Sequence, residues 1–303
     1  MSRGESRPRA GNQGHVVAIA TGLAAALFIA VGFVLQQHAA AQEPPDERLS
    51  FRLLAHLMRR PLWLGGIGCM VAGQLFGAVA LDQGSLALVE PLVASNLLFA
   101  LPLSAVWHRR RIGRRDWAAA ACLLAGLTAF VVAGDPFGGS TVGIRWSGWL
   151  GALGGIAAVA AVLVVLGRKV GRVREVSALA GAAGVLYGVQ DALTQRVEVV
   201  AQHDVLRLVT SWPAFLLVAI AVVALLLNQS AFEAGPLAQS LPPVTMAEPL
   251  AGIAFGVGVY REHLNLGWPW LPIELAGVAA MILGVTALAS SPVVCGVDDR
   301  VSG

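Results

Sequence analysis

The sequence predicts an all-α polytopic membrane protein with about nine transmembrane helices, and composition is the first reason. Of 303 residues, 56% are hydrophobic and only 13% are charged, and the mean hydropathy is +0.71. A soluble domain has roughly 25% charged residues because water surrounds its surface. Long apolar runs and the arginine-rich stretches between them are the second and third reasons.

Apolar runs define the predicted spans, because a helix needs roughly 20 residues to cross about 30 Å of hydrocarbon at about 1.5 Å per residue. In chain order the spans are 15–36, 61–82, 84–107, 116–134, 144–166, 175–195, 209–229, 234–259 and 272–290. Tryptophan supports this division, since indole rings prefer the headgroup layer. All eight lie at or near the ends of these runs: Trp63, Trp107, Trp117, Trp146, Trp149, Trp212, Trp268 and Trp270.

Basic residues set the predicted orientation, since loops rich in arginine and lysine stay in the cytoplasm. The loops 108–115 and 167–174 carry five and four such residues, and two spans separate them, as a shared side requires. The stretch 37–60 then also lies inside, whereas 135–143 lies outside. We expect a multi-pass protein of the cell (plasma) membrane with its N-terminus outside and its C-terminus inside.

The first segment leaves two alternatives open. Arg3, Arg7 and Arg9 would lie outside against the charge rule, and residues 1–41 could instead be a cleaved signal peptide, although its apolar run is longer than usual. Residues 48–58 could form a tenth span, but two arginines and a histidine favour an amphipathic helix on the cytoplasmic surface.

Several function classes are disfavoured by what the chain lacks. The net charge of +3 comes from loop clusters rather than one basic face, so we expect no nucleic-acid partner. The three cysteines, Cys69, Cys122 and Cys295, have no disulfide or zinc spacing. The single lysine, Lys169, lies outside any phosphate-binding loop, so we expect no cofactor and no ATP-driven engine.

An internal repeat appears at one offset of 158 residues. It pairs Glu90-Pro91-Leu92 with Glu248-Pro249-Leu250, Gly126-Leu127-Thr128-Ala129 with Gly284-Val285-Thr286-Ala287, and Leu35-Gln36-Gln37 with Leu193-Thr194-Gln195. The glutamate-proline pair carries most of the weight, because a chain rich in alanine, glycine and leucine matches itself easily.

The repeat divides the chain into two units of four spans. The predicted parts are a tail 1–14, a first unit 15–134, a linking span 144–166, a second unit 175–290 and a tail 291–303. Four spans plus one linking span turn the second unit upside down. Inverted repeats are common in secondary transporters, whose sites lie near the midplane.

The stretch RRPLWLGGIGCMVAGQLFGAVALDQGSLALVEPLVASNLLFALPLSAVWHRR, followed by DWAAAACLLAGLTAFVV, resembles the paired helices of the drug/metabolite transporter (EamA-like) superfamily. With TGLAAALFIAVGFVLQQ first and a basic loop before the second span, the layout is most similar to the NIPA-type, magnesium transporter-like branch. The resemblance covers about residues 15–290. It implies a carrier, with metabolites, nucleotide sugars, drugs or Mg²⁺ as cargo. That superfamily usually has ten helices, as five plus five.

Carboxylates inside predicted spans are the first candidates for a site, because each costs roughly 2.5–3.5 kcal/mol to insert. Glu90 and Glu248 are repeat mates, and Pro91 and Pro249 follow them and should kink their helices. We expect the two carboxylates to face each other and bind a cation, a proton or a cationic group. The alternative is that both are protonated and only join neighbouring helices.

The sixth span carries a polar stripe. Tyr187, Asp191 and Gln195 follow i, i+4 spacing and Gln190 lies beside them, which suits either a cavity wall or the outer end of the helix. Gln74 and Asn96 are lone amides that could line the same cavity, although bonds between helices explain them equally simply.

The remaining ionisable residues are assigned no chemistry. Asp82, Glu233 and Glu274 lie near predicted loops, where we expect water to solvate them. The six histidines lie at span ends or in loops without metal-binding spacing, so none is assigned to a metal.

The sequence therefore predicts a secondary transporter of a small solute or cation that works by alternating access. A membrane scaffold or sensor without transport is the main alternative, and an intramembrane enzyme is a weaker one, because no nucleophile with a partner lies in the spans. The expected partners are the lipid bilayer and the transported solute, and a homodimer is compatible with the sequence.

Overall fold

The computed structural model describes residues 9–83, 86–107, 109, 112–134, 146–169, 171–203, 211–261, 267–268 and 270–290. Predictions that concern 1–8, the loops 135–145 and 204–210, and the tail after 290 lie outside these residues. So do the side chains of Glu90 and Gln195.

All regular secondary structure in the described residues is helical. In order the helices are α1 (Arg9–Ala40), α2 (Phe51–Leu57), α3 (Pro61–Gln83), α4 (Leu86–Ala94), α5 (Asn96–Trp107), α6 (Arg114–Gly134), α7 (Trp146–Lys169), α8 (Arg172–His203), α9 (Trp212–Ala234), α10 (Leu237–Phe255) and α11 (Trp270–Ala289). A 3₁₀ turn at Pro45–Glu47 precedes α2, and a π-helical turn at Gly256–Tyr260 follows α10.

Seven helices among the described residues are long and apolar enough to cross a membrane. They are the helical segments His15–Ala40, Pro61–Ala80, Arg114–Ala133, Gly148–Lys169, Arg174–Thr194, Trp212–Ala234 and Trp270–Ala289. The prediction of an all-α membrane protein is confirmed at this level. The two remaining predicted spans, 84–107 and 234–259, contain the repeated Glu-Pro-Leu segments and are interrupted or more polar.

The surface of the long helices matches a lipid environment. Large apolar side chains are exposed along one side of α7, where Leu150 is 68% exposed, and along α9, where Phe215 is 64% exposed. A soluble protein rarely exposes so extensive an apolar surface. We therefore regard these helix faces as the part of the molecule that contacts acyl chains.

The predicted span 84–107 is two helices rather than one. α4 runs through Pro91 and ends at Ala94, and α5 begins at Asn96. The Ser95 hydroxyl donates to the Leu92 carbonyl at 2.5 Å, and the Asn96 side-chain amide donates to the Val93 carbonyl at 2.9 Å. These side chains bond the carbonyls at the break, which is why the chain can bend here.

The segment between α1 and α3 contains a short helix and not a tenth span. α2 has seven residues, about 10 Å of helix, which is too short to cross a bilayer. Ser50 caps its N-terminus by accepting from the Arg52 backbone N–H at 3.2 Å. Leu53 and Leu57 are fully buried against the bundle, whereas Arg52 is exposed, so the helix is amphipathic as predicted.

The direction of neighbouring helices can be read from their glycine contacts. A Cβ atom on Gly66 would meet the Gly32 carbonyl at 3.0 Å, and one on Gly73 would meet the Ala25 carbonyl at 3.1 Å. Later residues of α3 thus contact earlier residues of α1, and the two helices are antiparallel.

Helices α6 and α11 pack together in the same close manner. A Cβ atom on Gly126 would lie 2.6 Å from the Gly277 carbonyl, and one on Gly284 would lie 2.8 Å from the Ala119 carbonyl. The contacts run in opposite order along the two helices, so α6 and α11 are antiparallel.

The α6/α11 contact relates residues that the repeat also relates. Gly126 and Gly284 are 158 residues apart, and so are Ala119 and Gly277. The Cys122 thiol contacts the Ala280 carbonyl at 3.4 Å, and these residues are again 158 apart. When residue i contacts j and the mate of i contacts the mate of j, the interface has the reciprocity of a two-fold axis.

Candidate functional site

The candidate site begins where α8 crosses α10. A Cβ atom on Gly184 would lie 2.7 Å from the Val244 carbonyl, and one on Gly188 would lie 2.6 Å from the Gly252 backbone nitrogen. From Gly184 to Gly188 along α8, the contact moves forward along α10 from Val244 to Gly252. The two helices are therefore parallel here. Backbones can approach this closely only because both α8 positions lack a side chain.

This crossing brings two carboxyl groups together. The Asp191 side chain of α8 is hydrogen-bonded to the Glu248 side chain of α10. Asp191 is exposed and Glu248 is half-buried. A hydrogen bond between two carboxyl groups requires a proton on one of them, because a carboxylate has no donor. The pair is thus suited to hold one proton, or one cation in its place.

Tyr187 and Asn228 extend this pair. Tyr187, one helical turn before Asp191, is hydrogen-bonded to the Asn228 side chain of α9 and interacts electrostatically with Glu248. The oxygen of the Asn228 amide is buried and accepts no hydrogen bond among the described residues. We call Tyr187, Asp191, Asn228 and Glu248 the carboxyl-pair site.

Gln190 borders this site from α8. Its side-chain oxygen is buried and has no hydrogen-bond donor in the part of the chain that the structure describes. A buried acceptor of this type is costly unless a ligand or water satisfies it.

Aromatic rings lie at the C-terminal side of the carboxyl pair along α8. Trp149 contacts Trp212, Phe255 and Tyr260 with ring centroids 5.0, 5.5 and 5.9 Å apart. The Tyr260 hydroxyl donates to the Ala192 carbonyl, which follows Asp191 directly. This aromatic cluster therefore lies next to the carboxyl pair along α8 and joins α7, α8, α9, α10 and the π-helical turn after it.

A cluster of charged residues lies on the other side, near the N-terminus of α8. Arg48, from the segment before α2, binds both carboxylate oxygens of Glu233 in α9, and its guanidinium lies 3.7 Å from Glu175 of α8. Glu233 is only 7% exposed. The hydrogen bond from Arg48 to Glu233 raises the pKa of the guanidinium above its usual value. We call Arg48, Glu175 and Glu233 the Arg48 clasp.

Amides join the two sequence halves beside this clasp. Gln229 of α9 donates to Gln36 of α1, and Gln37 donates to the Gly235 carbonyl at 3.5 Å. Both Gln37 and Gln229 are buried, and the remaining oxygen of each accepts no bond among the described residues. We call Gln36, Gln37 and Gln229 the amide layer. It is rich in hydrogen-bond acceptors, and Gln229 directly follows Asn228 of the carboxyl-pair site.

The structure brings together part of the predicted site. Tyr187, Asp191 and Glu248 are close to one another, with Gln190 beside them. Glu90 lies in α4, but its side chain is outside the described residues, so its predicted contact with Glu248 stays a prediction. Pro91 and Pro249 both lie inside helices, and the kinks predicted there stay a prediction.

The two lone amides differ in their surroundings. Asn96 is 9% exposed at the break between α4 and α5, where it bonds the chain locally rather than another helix. Gln74 is exposed on α3. Neither contributes a contact to the carboxyl-pair site among the interactions described.

Two carboxylates predicted to be solvated are buried instead. Glu233 is held by Arg48, because α9 extends to Ala234 and its end is covered by the segment before α2. Glu274 is 6% exposed in the first turns of α11. Sequence reasoning missed Glu233 because its partner lies 185 residues earlier in the chain. Asp82 is exposed, as predicted.

Comparison with known proteins adds one relative. The chain is 27% identical over 283 residues to an uncharacterized protein of Corynebacterium glutamicum, an alignment that covers 92% of this chain and 96% of the relative. No family model matches the chain. No solved structure matches it either.

Proposed function

We propose that the chain is a secondary membrane transporter of a small solute or cation, and that the carboxyl-pair site binds the transported species. The observation that carries this proposal is the hydrogen-bonded pair Asp191 and Glu248 on two different helices, with Asp191 exposed. Carboxyl groups within membrane helices are costly, and they usually mark ion or substrate pathways.

The proposed topology has nine crossings. Residues 86–107, covered by α4 and α5, correspond to about 33 Å of helix, and residues 237–260 correspond to about 36 Å. Both lengths exceed about 30 Å of hydrocarbon. The break at Ser95 and the polar residues of α10 explain why neither segment resembles a simple apolar span.

The proposed units are inverted, with four helices before α7 and four after it. The antiparallel and reciprocal contact of α6 with α11 supports this arrangement, because each is the last helix of its unit. Inverted units related by an axis in the membrane plane provide the two faces that alternating access needs.

In this proposal the site opens alternately to the two sides of the membrane, and a group of residues on each side forms a barrier. The aromatic cluster around Trp149 closes one side, and the Arg48 clasp with its amide layer closes the other. Opening of the clasp would expose Asn228 and Tyr187 to the cytoplasm. Opening of the aromatic cluster would connect the carboxyl pair to the opposite side of the membrane.

The chemistry of the pair favours exchange of a proton for a cation. A cation that binds between the carboxylates displaces the proton that they share, and its departure allows a proton to return. The family resemblance adds Mg²⁺ and metabolites to the cargo expected, and an organic cation fits two carboxylates equally well. We expect no enzymatic activity.

Proteoliposomes loaded with a pH-sensitive dye test this proposal. Addition of Mg²⁺ or of members of a cationic metabolite panel should move protons in the wild type. Asp191→Asn and Glu248→Gln should each reduce that signal to the liposome background, because neither variant can release the shared proton. Asp82→Asn removes an exposed carboxylate outside the site and should retain wild-type flux.

Two further outcomes are decisive. Glu90→Gln tests the repeat mate of Glu248 in the same assay, with loss of flux expected. Full activity of the Glu90→Gln/Glu248→Gln double variant would exclude the assigned role, and a folded protein that moves none of the solutes would favour a scaffold or sensor.

A further inference from the structure

Three potential metal ligands meet in the segment between α1 and α3, away from the carboxyl-pair site. Glu43 follows α1, Glu47 ends the 3₁₀ turn, and His56 lies in α2. The ligand atoms of these three side chains all lie within 4.8 Å of one another. No sequence motif indicated this group, because the spacing of the three residues matches no common metal-binding pattern.

The distances within this group suit one ion. His56 Nδ1 lies 2.8 Å from Glu47 Oε2 and 3.7 Å from Glu43 Oε2. Ligand atoms that are each about 2.1 Å from one metal ion lie about 3.0 Å apart at a right angle and about 3.4 Å apart at a tetrahedral angle. The observed separations bracket these values.

His56 also makes a close polar contact with Glu47, which is an ion pair when the imidazole is protonated. Glu47 Oε2 is buried, His56 Nδ1 lies 2.8 Å from it, and no other described group donates a hydrogen bond to it. When Nδ1 carries no proton, its lone pair and a lone pair of Glu47 Oε2 are both available to a third atom. A metal ion is the atom that both would bind.

The surroundings of Glu43 resemble those of a metal-binding carboxylate that a hydrogen bond holds in place. Its side chain is only 4% exposed, and Arg60 donates to Oε1 at 2.9 Å. The other oxygen, Oε2, faces His56 and accepts no hydrogen bond in the described part of the chain. Carboxylate ligands of metals commonly have their second oxygen held by a hydrogen bond in this way.

The charged side chains around this group do not compensate all of its negative charge. Arg60 compensates Glu43, and Arg48 is directed away to Glu233. Glu47 is therefore left with the imidazole of His56 alone among the described residues. With a neutral imidazole, which is the form that binds metals, the half-buried carboxylate of Glu47 lacks a counter-ion in the described part of the chain.

We propose that Glu43, Glu47 and His56 bind a divalent transition metal ion of the Zn²⁺ or Mn²⁺ class. Two carboxylate oxygens and one imidazole nitrogen form a mixed set that these ions accept, whereas Mg²⁺ and Ca²⁺ prefer oxygen alone. Three protein ligands leave further positions for water. Because Arg48 directly follows Glu47, a bound ion would also fix the backbone that carries the Arg48 clasp.

Metal titration of the purified full-length chain, after treatment with a chelator, tests this site. Co²⁺ should produce visible absorption bands that saturate at one equivalent, and Zn²⁺ but not millimolar Mg²⁺ should displace it. His56→Asn and Glu47→Gln should each weaken binding more than about tenfold. The control His15→Ala/Asp82→Asn changes an exposed histidine and an exposed carboxylate elsewhere and should bind normally.

A second measurement does not depend on any variant. Diethylpyrocarbonate should modify His56 in the wild type, since this side chain is 46% exposed, and Zn²⁺ should protect it while leaving His15 reactive, as read by mass spectrometry. Absence of saturable Co²⁺ binding, unchanged affinity in His56→Asn, or equal modification of His56 with and without Zn²⁺ would each overturn the proposal.

Discussion

At the scale of single residues, the burial of Glu233 depends on an arginine from the other half of the chain. Arg48 offers two nitrogens to one carboxylate and a third contact to Glu175. Buried ion pairs add little stability compared with apolar residues of the same volume, but loss of one partner leaves an uncompensated charge. The clasp is therefore sensitive to single substitutions.

Arg48→Ala should accordingly destabilise the protein by about 3–5 kcal/mol. Arg52→Ala removes an exposed arginine four residues later and should change stability by less than about 0.5 kcal/mol. Unfolding in detergent measures both values. Equal stability of the two variants would show that the buried Glu233 carboxylate is stable without Arg48. The double variant Arg48→Met/Glu233→Leu should recover most of the lost stability.

Some of these residues could be identified as site candidates from the sequence, and others could not. Tyr187 and Asp191 could be placed on one face because helical spacing is fixed by geometry. Glu248 could be singled out because a carboxylate next to proline in an apolar run is rare. The partners Asn228 and Arg48 could not be assigned, because contacts between distant segments depend on how the helices pack.

At the scale of helices, Gly188 determines how closely α8 and α10 approach at the site. A methyl group there would meet the Gly252 nitrogen at 2.6 Å and the Ala251 side chain at 3.0 Å, and the former is backbone that cannot rotate away. Asp191 is three residues further along the same helix. Separation of the helices would therefore separate the carboxyl pair.

Gly188→Ala is expected to destabilise the protein by about 1–3 kcal/mol through overpacking and to lower flux. Gly181→Ala is the matched control, since its methyl group would meet only a Leu163 methyl at 3.9 Å. Helix propensity alone should make that control up to about 1 kcal/mol more stable. Thermal unfolding and the flux assay, performed on both variants, distinguish the two; equal behaviour would contradict the close crossing.

Helix positions followed from the sequence more readily than helix ends. Apolar runs located the seven long helices, because length and hydropathy are local properties. The end of α9 was placed too early, at 229 rather than Ala234, since polar residues there resembled a loop but are buried against α1 and Arg48. The break at Ser95 was missed because proline, four residues earlier, was the stronger signal.

The proposed topology of the complete bundle requires nine crossings in two inverted units. Among the described residues, seven helices are long and apolar enough to cross, and nine crossings require that α4 with α5, and α10 with its π-helical end, cross as well. The two topologies give opposite sides to the loops around Gly113 and Lys169. Both place the segment that contains α2 on the same side as the C-terminus.

Cysteine labelling measures directly on which side of the membrane each loop lies. In a background without the native cysteines, the exposed positions Ala55→Cys, Gly113→Cys and Lys169→Cys are each treated with a membrane-impermeant maleimide in intact cells and in inside-out vesicles. Nine crossings predict that all three react in inside-out vesicles and are protected in intact cells. Reaction of Gly113→Cys and Lys169→Cys in intact cells, with Ala55→Cys protected, would contradict the inverted units.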